Sequence, residues 1–231
     1  MTEQPPAEAT RLPHGYTNTT EFGPGAVHKF YLGPDLDERL RVELAALTGL
    51  AGRLPVPAVL SHTAGELRIA RVVGRHGQEV LDDEDQRLAR NVLRLCGVLR
   101  RELSAIDPAG VPGLPGTGPV IVHGDFGPQN LLVTPDGGTA FAVIDWESAY
   151  LGTVVEDLAW AEWIIRTHHP HLRFCLDELF VGYGARPAWS EWRAAMLRAC
   201  HRCRDFCRRW EDPAAVALWD ERIAATEAFR E

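Results

Sequence analysis

Between Gly15 and Tyr31 the segments GYTNTT, EFGPG and AVHKFY read as short strands separated by turns. Val27, Lys29 and Tyr31 alternate with Ala26, His28 and Phe30, and Gly23-Pro24-Gly25 marks a turn. The period then changes. In GPDLDERLRVELAALTGL, Leu36, Leu40, Leu44 and Leu47 recur at helical spacing. Asp35 is placed as N-cap with Glu38 three residues on, close to a capping box. The helix is expected to end at Gly49 or Gly52, and Pro55 and Pro57 forbid its resumption. VPAVL and LRIARVV then form two strands around Ala64-Gly65. The pattern for residues 15–73 is three strands, a helix and two strands.

Composition shifts over Gly74–Asp85, where the boundary between two lobes is placed. Residues 84–106 form a long amphipathic helix, followed by a loop rich in Gly and Pro over 109–119. VIVHG, NLLVT and AFAVIDW are three short apolar strands, the last two joined by the turn Pro135-Asp136-Gly137-Gly138. From Glu156 onward the pattern is helical, and most of the seven Trp fall there. The predicted organisation is a polar arm (1–13), a small sheet-bearing lobe (14–74) and a larger, mainly helical lobe (75–231), an α+β fold.

Charge narrows the functions. A net charge of −8 argues against nucleic acid, whose binding proteins carry basic faces. An acidic surface also attracts cationic small molecules. The five cysteines lack the spacing of a secreted framework, and Cys200, Cys203 and Cys207 form one stripe of a helix, where Cys acts as a small hydrophobe. The start MTEQPPAEATRLP has no signal-peptide character, and no run of about 18 apolar residues offers a membrane span. A reduced, cytoplasmic protein is expected. His168, His169 and His171 around Pro170 read as a solvated helix end rather than a metal site.

The chemistry lies in HGDFGPQN, His123 to Asn130, followed by IDWE, Ile144 to Glu147. Asp125 sits in a loop between apolar strands, Asn130 opens the second strand, and Asp145 closes the next. Two carboxylates and an amide oxygen converging at strand ends suit a hard cation and a base. Phosphoryl transfer needs that set, because its catalysis is positioning plus charge neutralisation. Lys29 in a strand and Glu43 on the following helix are placed to form an ion pair, with Glu38 a competing partner nearer the helix start.

This constellation resembles the aminoglycoside phosphotransferase and choline kinase family, relatives of the protein kinases, over roughly residues 15–165. The resemblance implies a bilobal protein-kinase-like fold and transfer of phosphate from ATP, with Mg²⁺, to a hydroxyl of a small molecule. It makes Asp125 the catalytic base, Asn130 and Asp145 the Mg²⁺ ligands, and His123 and Asp157 supports of the catalytic loop. Lys29, held by Glu43, would contact the ATP phosphates. Thr19 and Thr20 stand where a glycine-rich loop is lacking, and Val72, Val73 and Ile144 would enclose adenine.

The acceptor expected from this reading is cationic and hydroxylated, as an aminoglycoside-type antibiotic is. The acidic candidates to hold it are Glu147, Glu156, Glu162, Asp177, Glu178, Glu211 and Asp212. Alternatives are a kinase of a metabolic alcohol (choline, homoserine, a sugar or a fructosamine) or a non-catalytic nucleotide-binding relative.

Overall fold

The computed structural model describes residues 18–83 and 85–231, so the predicted arm 1–13, Gly15 and Thr17 lie outside the described residues. Strands β1 (Asn18–Gly23) and β2 (Ala26–Tyr31) form a hairpin, followed by helix α1 (Leu36–Leu50) and strands β3 (Val59–Thr63) and β4 (Glu66–Ala70). They make one antiparallel sheet in the order β1-β2-β4-β3. Among the described residues two strands precede α1, where the sequence pattern suggested three. Residues 18–20 and 21–23 run on as a single strand, because the first chain-reversing residues are Pro24 and Gly25, the latter at φ 75°.

Helix α1 buries Leu40, Val42, Ala46, Leu47 and Leu50. Asp35 does not cap it as expected. This residue adopts the left-handed conformation (φ 58°), and its carboxylate accepts Arg209 Nε at 2.9 Å instead of a helix N–H.

The second lobe comprises β5 (Arg75–His76), α2 (Gly77–Asp82), α3 (Gln86–Ser104), β6 (Val120–Val122), β7 (Leu131–Val133), β8 (Ala140–Val143) and β9 (Tyr150–Gly152), then α4 (Val154–His168), α5 (Asp177–Tyr183), α6 (Trp189–Arg209) and α7 (Pro213–Glu227). Strands β5, β7 and β8 make a small sheet, while β6 pairs with β9. The short elements α2, β5 and β9 are too brief for a periodicity to show in sequence. Helix α3 is capped by Asp85, whose side chain accepts from the N–H groups of Arg87 and Leu88.

Helices α3 and α5 pack backbone to backbone. A methyl group on Gly97 would overlap the Leu179 carbonyl, and one on Gly182 the Arg94 carbonyl. One apolar core runs through both lobes, from Tyr31 and Leu47 to Trp163, Trp192 and Ile223. The end of α6 reaches the first lobe at three points: Arg209 pairs with Asp35, the Arg39 guanidinium lies 5.6 Å from the Phe206 ring centre, and Trp210 packs on Gly33. No helix among the described residues is long and apolar enough to cross a membrane.

Candidate active site

The loop from His123 to Asn130 leaves β6 and enters β7, and its shape is fixed from below. Asp157, on the first turn of α4, accepts the backbone N–H of His123 at 2.9 Å and of Gly124 at 3.0 Å. The fully buried Arg100 lies behind it, with Nε 3.6 Å from its carboxylate. The buried His123 ring donates from Nε2 to the Ile144 carbonyl at 3.0 Å and accepts the Asp125 N–H at Nδ1, 3.3 Å. Its ring also packs 4.4 Å from that of buried Trp146.

Asp125 is thereby presented at the loop's tip, with donors on both oxygens. Asn130 Nδ2 donates to Oδ2 at 2.9 Å and to the Asp125 carbonyl at 2.8 Å. On Oδ1 it accepts Trp160 Nε1 at 2.7 Å and Gln129 Nε2 at 3.3 Å. Burial, and then the negative charge of Asp145, push the carboxyl up to about 6, against the pull of Trp160, His123 and Asn130.

Strand pairing brings Asn130 beside Asp145. Leu131 is in register with Val143, and Ile144 N–H donates to the Asn130 carbonyl at 2.9 Å, so both side chains leave at the same end of the sheet. Asp145 adopts a left-handed conformation (φ 66°), one that Asp tolerates better than most residues. The next N–H, of Trp146, is held by Glu43 Oε1 at 3.2 Å.

Lys29 joins the lobes here. Its Nζ lies 2.5 Å from Glu43 Oε2, 2.5 Å from Asp145 Oδ1 and 3.0 Å from Glu147 Oε2. Burial opposes the ammonium charge, but Asp145, Glu147 and Glu43 outweigh it and hold Lys29 well above the usual lysine range. Desolvation likewise opposes ionisation of Asp145, yet Lys29 prevails and keeps it below the usual carboxylate range. Glu43, fully buried, also accepts the Tyr31 hydroxyl. Glu147 further accepts Asn18 Nδ2 at 2.5 Å and lies 3.6 Å from Arg39 Nε. Glu38 stands apart from this network, paired with Arg41 on the exposed face of α1.

Carboxylate oxygens of Glu43, Asp145 and Glu147 lie within 4.8 Å of one another, the one such group with metal-binding spacing among the described residues. Hard oxygens of this kind fit Mg²⁺. Asn130 fits as well: with its amide nitrogen committed to Asp125, its carbonyl oxygen is the atom it can offer a cation.

The remaining sequence candidates are more scattered. Thr19 and Thr20 lie within β1, and Thr20 is the cross-strand partner of Lys29. Val72 and Ile144 are half-buried, whereas Val73 is 78% exposed. Six of the seven nominated acidic residues already have partners of their own. Glu156 accepts the Thr153 N–H, Glu162 pairs with Arg166 and Trp192, and Asp177 pairs with Arg186. Glu178 pairs with Arg94, Asp212 caps α7, and Glu147 belongs to the lysine network.

Sequence reasoning missed the roles of Trp160, Gln129 and Arg39, and offered Asn18 only as a group that could cap phosphates. For Trp160 a signal existed: it follows Asp157 by three residues, so both occupy the face of α4 that meets the loop.

Residues 112–195 match the sequence model of the phosphotransferase enzyme family. No curated protein sequence matches the chain. Among solved structures, the GDP complex of wild-type aminoglycoside 2'-phosphotransferase-IIIa superposes with a TM-score of 0.74 at 15% identity, over 94% of this chain and 91% of that one. The GDP and kanamycin complex of APH(2")-IIIa gives 0.72 at 14%, covering 94% and 92%. Macrolide 2'-phosphotransferase MphH from Brachybacterium faecium gives 0.60 at 19%, covering 94% of each. At such identities the likeness establishes the fold, that of the protein-kinase-like phosphotransferases.

Proposed function

We propose that this chain, whose residues 112–195 match the phosphotransferase enzyme family, is a small-molecule kinase that transfers the γ-phosphate of ATP to a hydroxyl group on an antibiotic-like small molecule. The observation that carries the reading is Lys29, whose ammonium spans Glu43 of the first lobe and Asp145 at the strand end beside Asp125. A lysine so placed can meet nucleotide phosphates at the mouth of the cleft while Glu43 fixes its direction. Residues 18–74 grip the nucleotide in this reading, and residues 75–231 supply the catalytic loop and the acceptor site. Thr19, Thr20 and the segment around Val72, Val73 and Ile144 edge the nucleotide cleft.

Asp145 and Asn130 would hold Mg²⁺, which when bound neutralises phosphate charge. The acceptor oxygen attacks the γ-phosphorus and forms the new P–O bond. The bond from that phosphorus to the β,γ-bridging oxygen breaks, and its electron pair leaves with ADP. The acceptor proton passes to the Asp125 carboxylate, which is ionised above its pKa of about 6 and so competent near neutrality. Asp157 and His123 keep the loop in the shape this requires.

The aminoglycoside and macrolide phosphotransferases sharing this fold make hydroxylated antibiotics the first acceptors to test. A cationic acceptor would need unpaired carboxylates near Asp125. A second reading, a neutral acceptor, is favoured by the partners that Glu156, Glu162, Asp177 and Glu178 already have.

The test is a mass-spectrometric search for phosphorylated products. Protein and Mg-ATP are incubated with aminoglycosides, macrolides, choline, homoserine and sugars, with Asp125→Asn alongside. A product lost in the variant, by roughly 10²–10⁴-fold, establishes the kinase and its acceptor class together. Equal product from both proteins would remove Asp125 from the chemistry.

A further inference from the structure

Trp160 lies at the end of a stack of indoles. Its ring is 4.6 Å from that of Trp163 and nearly parallel to it (4°). Trp219, on α7, packs 5.6 Å from Trp163 and 6.2 Å from Trp160. Trp163 is anchored in turn, donating from Nε1 to Thr226 Oγ1 at 2.8 Å. The stack therefore joins α4 to α7, and Trp160 has little freedom to rotate.

Its one polar atom points at the site. The indole Nε1–H donates to Asp125 Oδ1 at 2.7 Å, the shortest of the five side-chain and main-chain hydrogen bonds that hold this residue's oxygens. Indole nitrogen is a donor only and stays neutral, so it can stabilise a carboxylate without being able to exchange a proton with it. Held by Trp160 on one oxygen and Asn130 on the other, the carboxylate plane is fixed relative to the cleft.

We propose that Trp160 is the positioning residue of the phosphoryl-transfer site: its indole N–H, held rigid by the Trp163 and Trp219 rings, sets the orientation of the Asp125 carboxylate toward the acceptor hydroxyl. The proposal rests on the kinase reading above, in which Asp125 receives the acceptor proton. It also gives the acceptor helices a direct line to the base, since α7 supplies Trp219. A donor to a charged group acts on turnover through geometry, leaving the nucleotide's own contacts at Lys29 untouched.

Trp160→Phe keeps an aromatic ring in the stack and removes only the donor. It should lower kcat by roughly tenfold, the effect of about 1.4 kcal/mol, with the KM for ATP unchanged. Turnover is read with the acceptor found in the screen or, failing one, as hydrolysis of Mg-ATP. Trp163→Phe is the contrast, since it removes a buried structural hydrogen bond and should lower the melting temperature while kcat stays the same.

A spectroscopic measurement on the intact protein decides the matter without turnover. The indole ¹H–¹⁵N resonance assigned to Trp160, absent in Trp160→Phe, should move upfield in Asp125→Asn, while that of Trp163 stays in place. A Trp160 resonance indifferent to Asp125, or full kcat in Trp160→Phe when Asp125→Asn is inactive, overturns the positioning role. Full activity in Asp125→Asn would instead overturn the kinase reading on which it rests.

Discussion

A carboxyl group buried beside another carboxylate acts against the folded state when it ionises. Asp125 is pushed up to about 6, whereas an aspartate in an unfolded chain titrates near ~3.9. Between those two values the folded protein holds a proton that the unfolded chain has released. Stability conferred through Asp125 therefore falls as pH rises from about 4 to about 6, and is level above that. Asp125→Asn cannot titrate. In metal-free protein, the melting temperature of the wild type should drop relative to the variant by a few degrees across this window. Parallel curves would show that the group titrates as an ordinary aspartate.

At the same scale, what the sequence displayed and what it hid have a common cause. Asp125, Asn130 and Asp145 were legible as neighbours because short strand pairings bring them together, and the strands announce themselves by apolar runs. Lys29 and Glu43 lie 14 residues apart on adjacent elements of one lobe. The partners that span long separations were not legible: Asn18 with Glu147 across 129 residues, Trp160 with Asp125 across 35. The acidic residues offered as an acceptor wall had no visible partners in sequence. In the fold Arg94, Arg166 and Arg186 take three of them.

Among the elements, the α3–α5 pair makes the tightest demand. Gly97 in a helix interior reads in sequence as a cost of about 1 kcal/mol against Ala. In the fold it is the reason two helices meet along their backbones, with Gly182 opposite. Gly97→Ala, favourable by helix propensity, should therefore destabilise the protein by about 1–3 kcal/mol, seen as a lower melting temperature in calorimetry. Unchanged or raised stability would mean that α5 can move aside without loss. The long helices were readable from periodicity over many residues. The hairpin's missing break and the short elements α2, β5 and β9 were not, since six residues or fewer show no period.

At the scale of the whole molecule, two of the contacts between the lobes bear on the site. One is the end of α6, where Arg209, Phe206 and Trp210 rest on the segment from Gly33 to Arg39. The other is Lys29, whose ammonium sits among three carboxylates drawn from both lobes. That ammonium already neutralises the carboxylates at which Mg²⁺ is proposed to bind, Asp145 among them. Lys29→Met should accordingly bind Mg²⁺ alone more tightly than the wild type in calorimetric titrations without nucleotide, and equal affinities would show that Lys29 does not compete for the seat. Nucleotide phosphates, by drawing the lysine toward themselves, would vacate its place, so that the metal enters with its nucleotide rather than ahead of it.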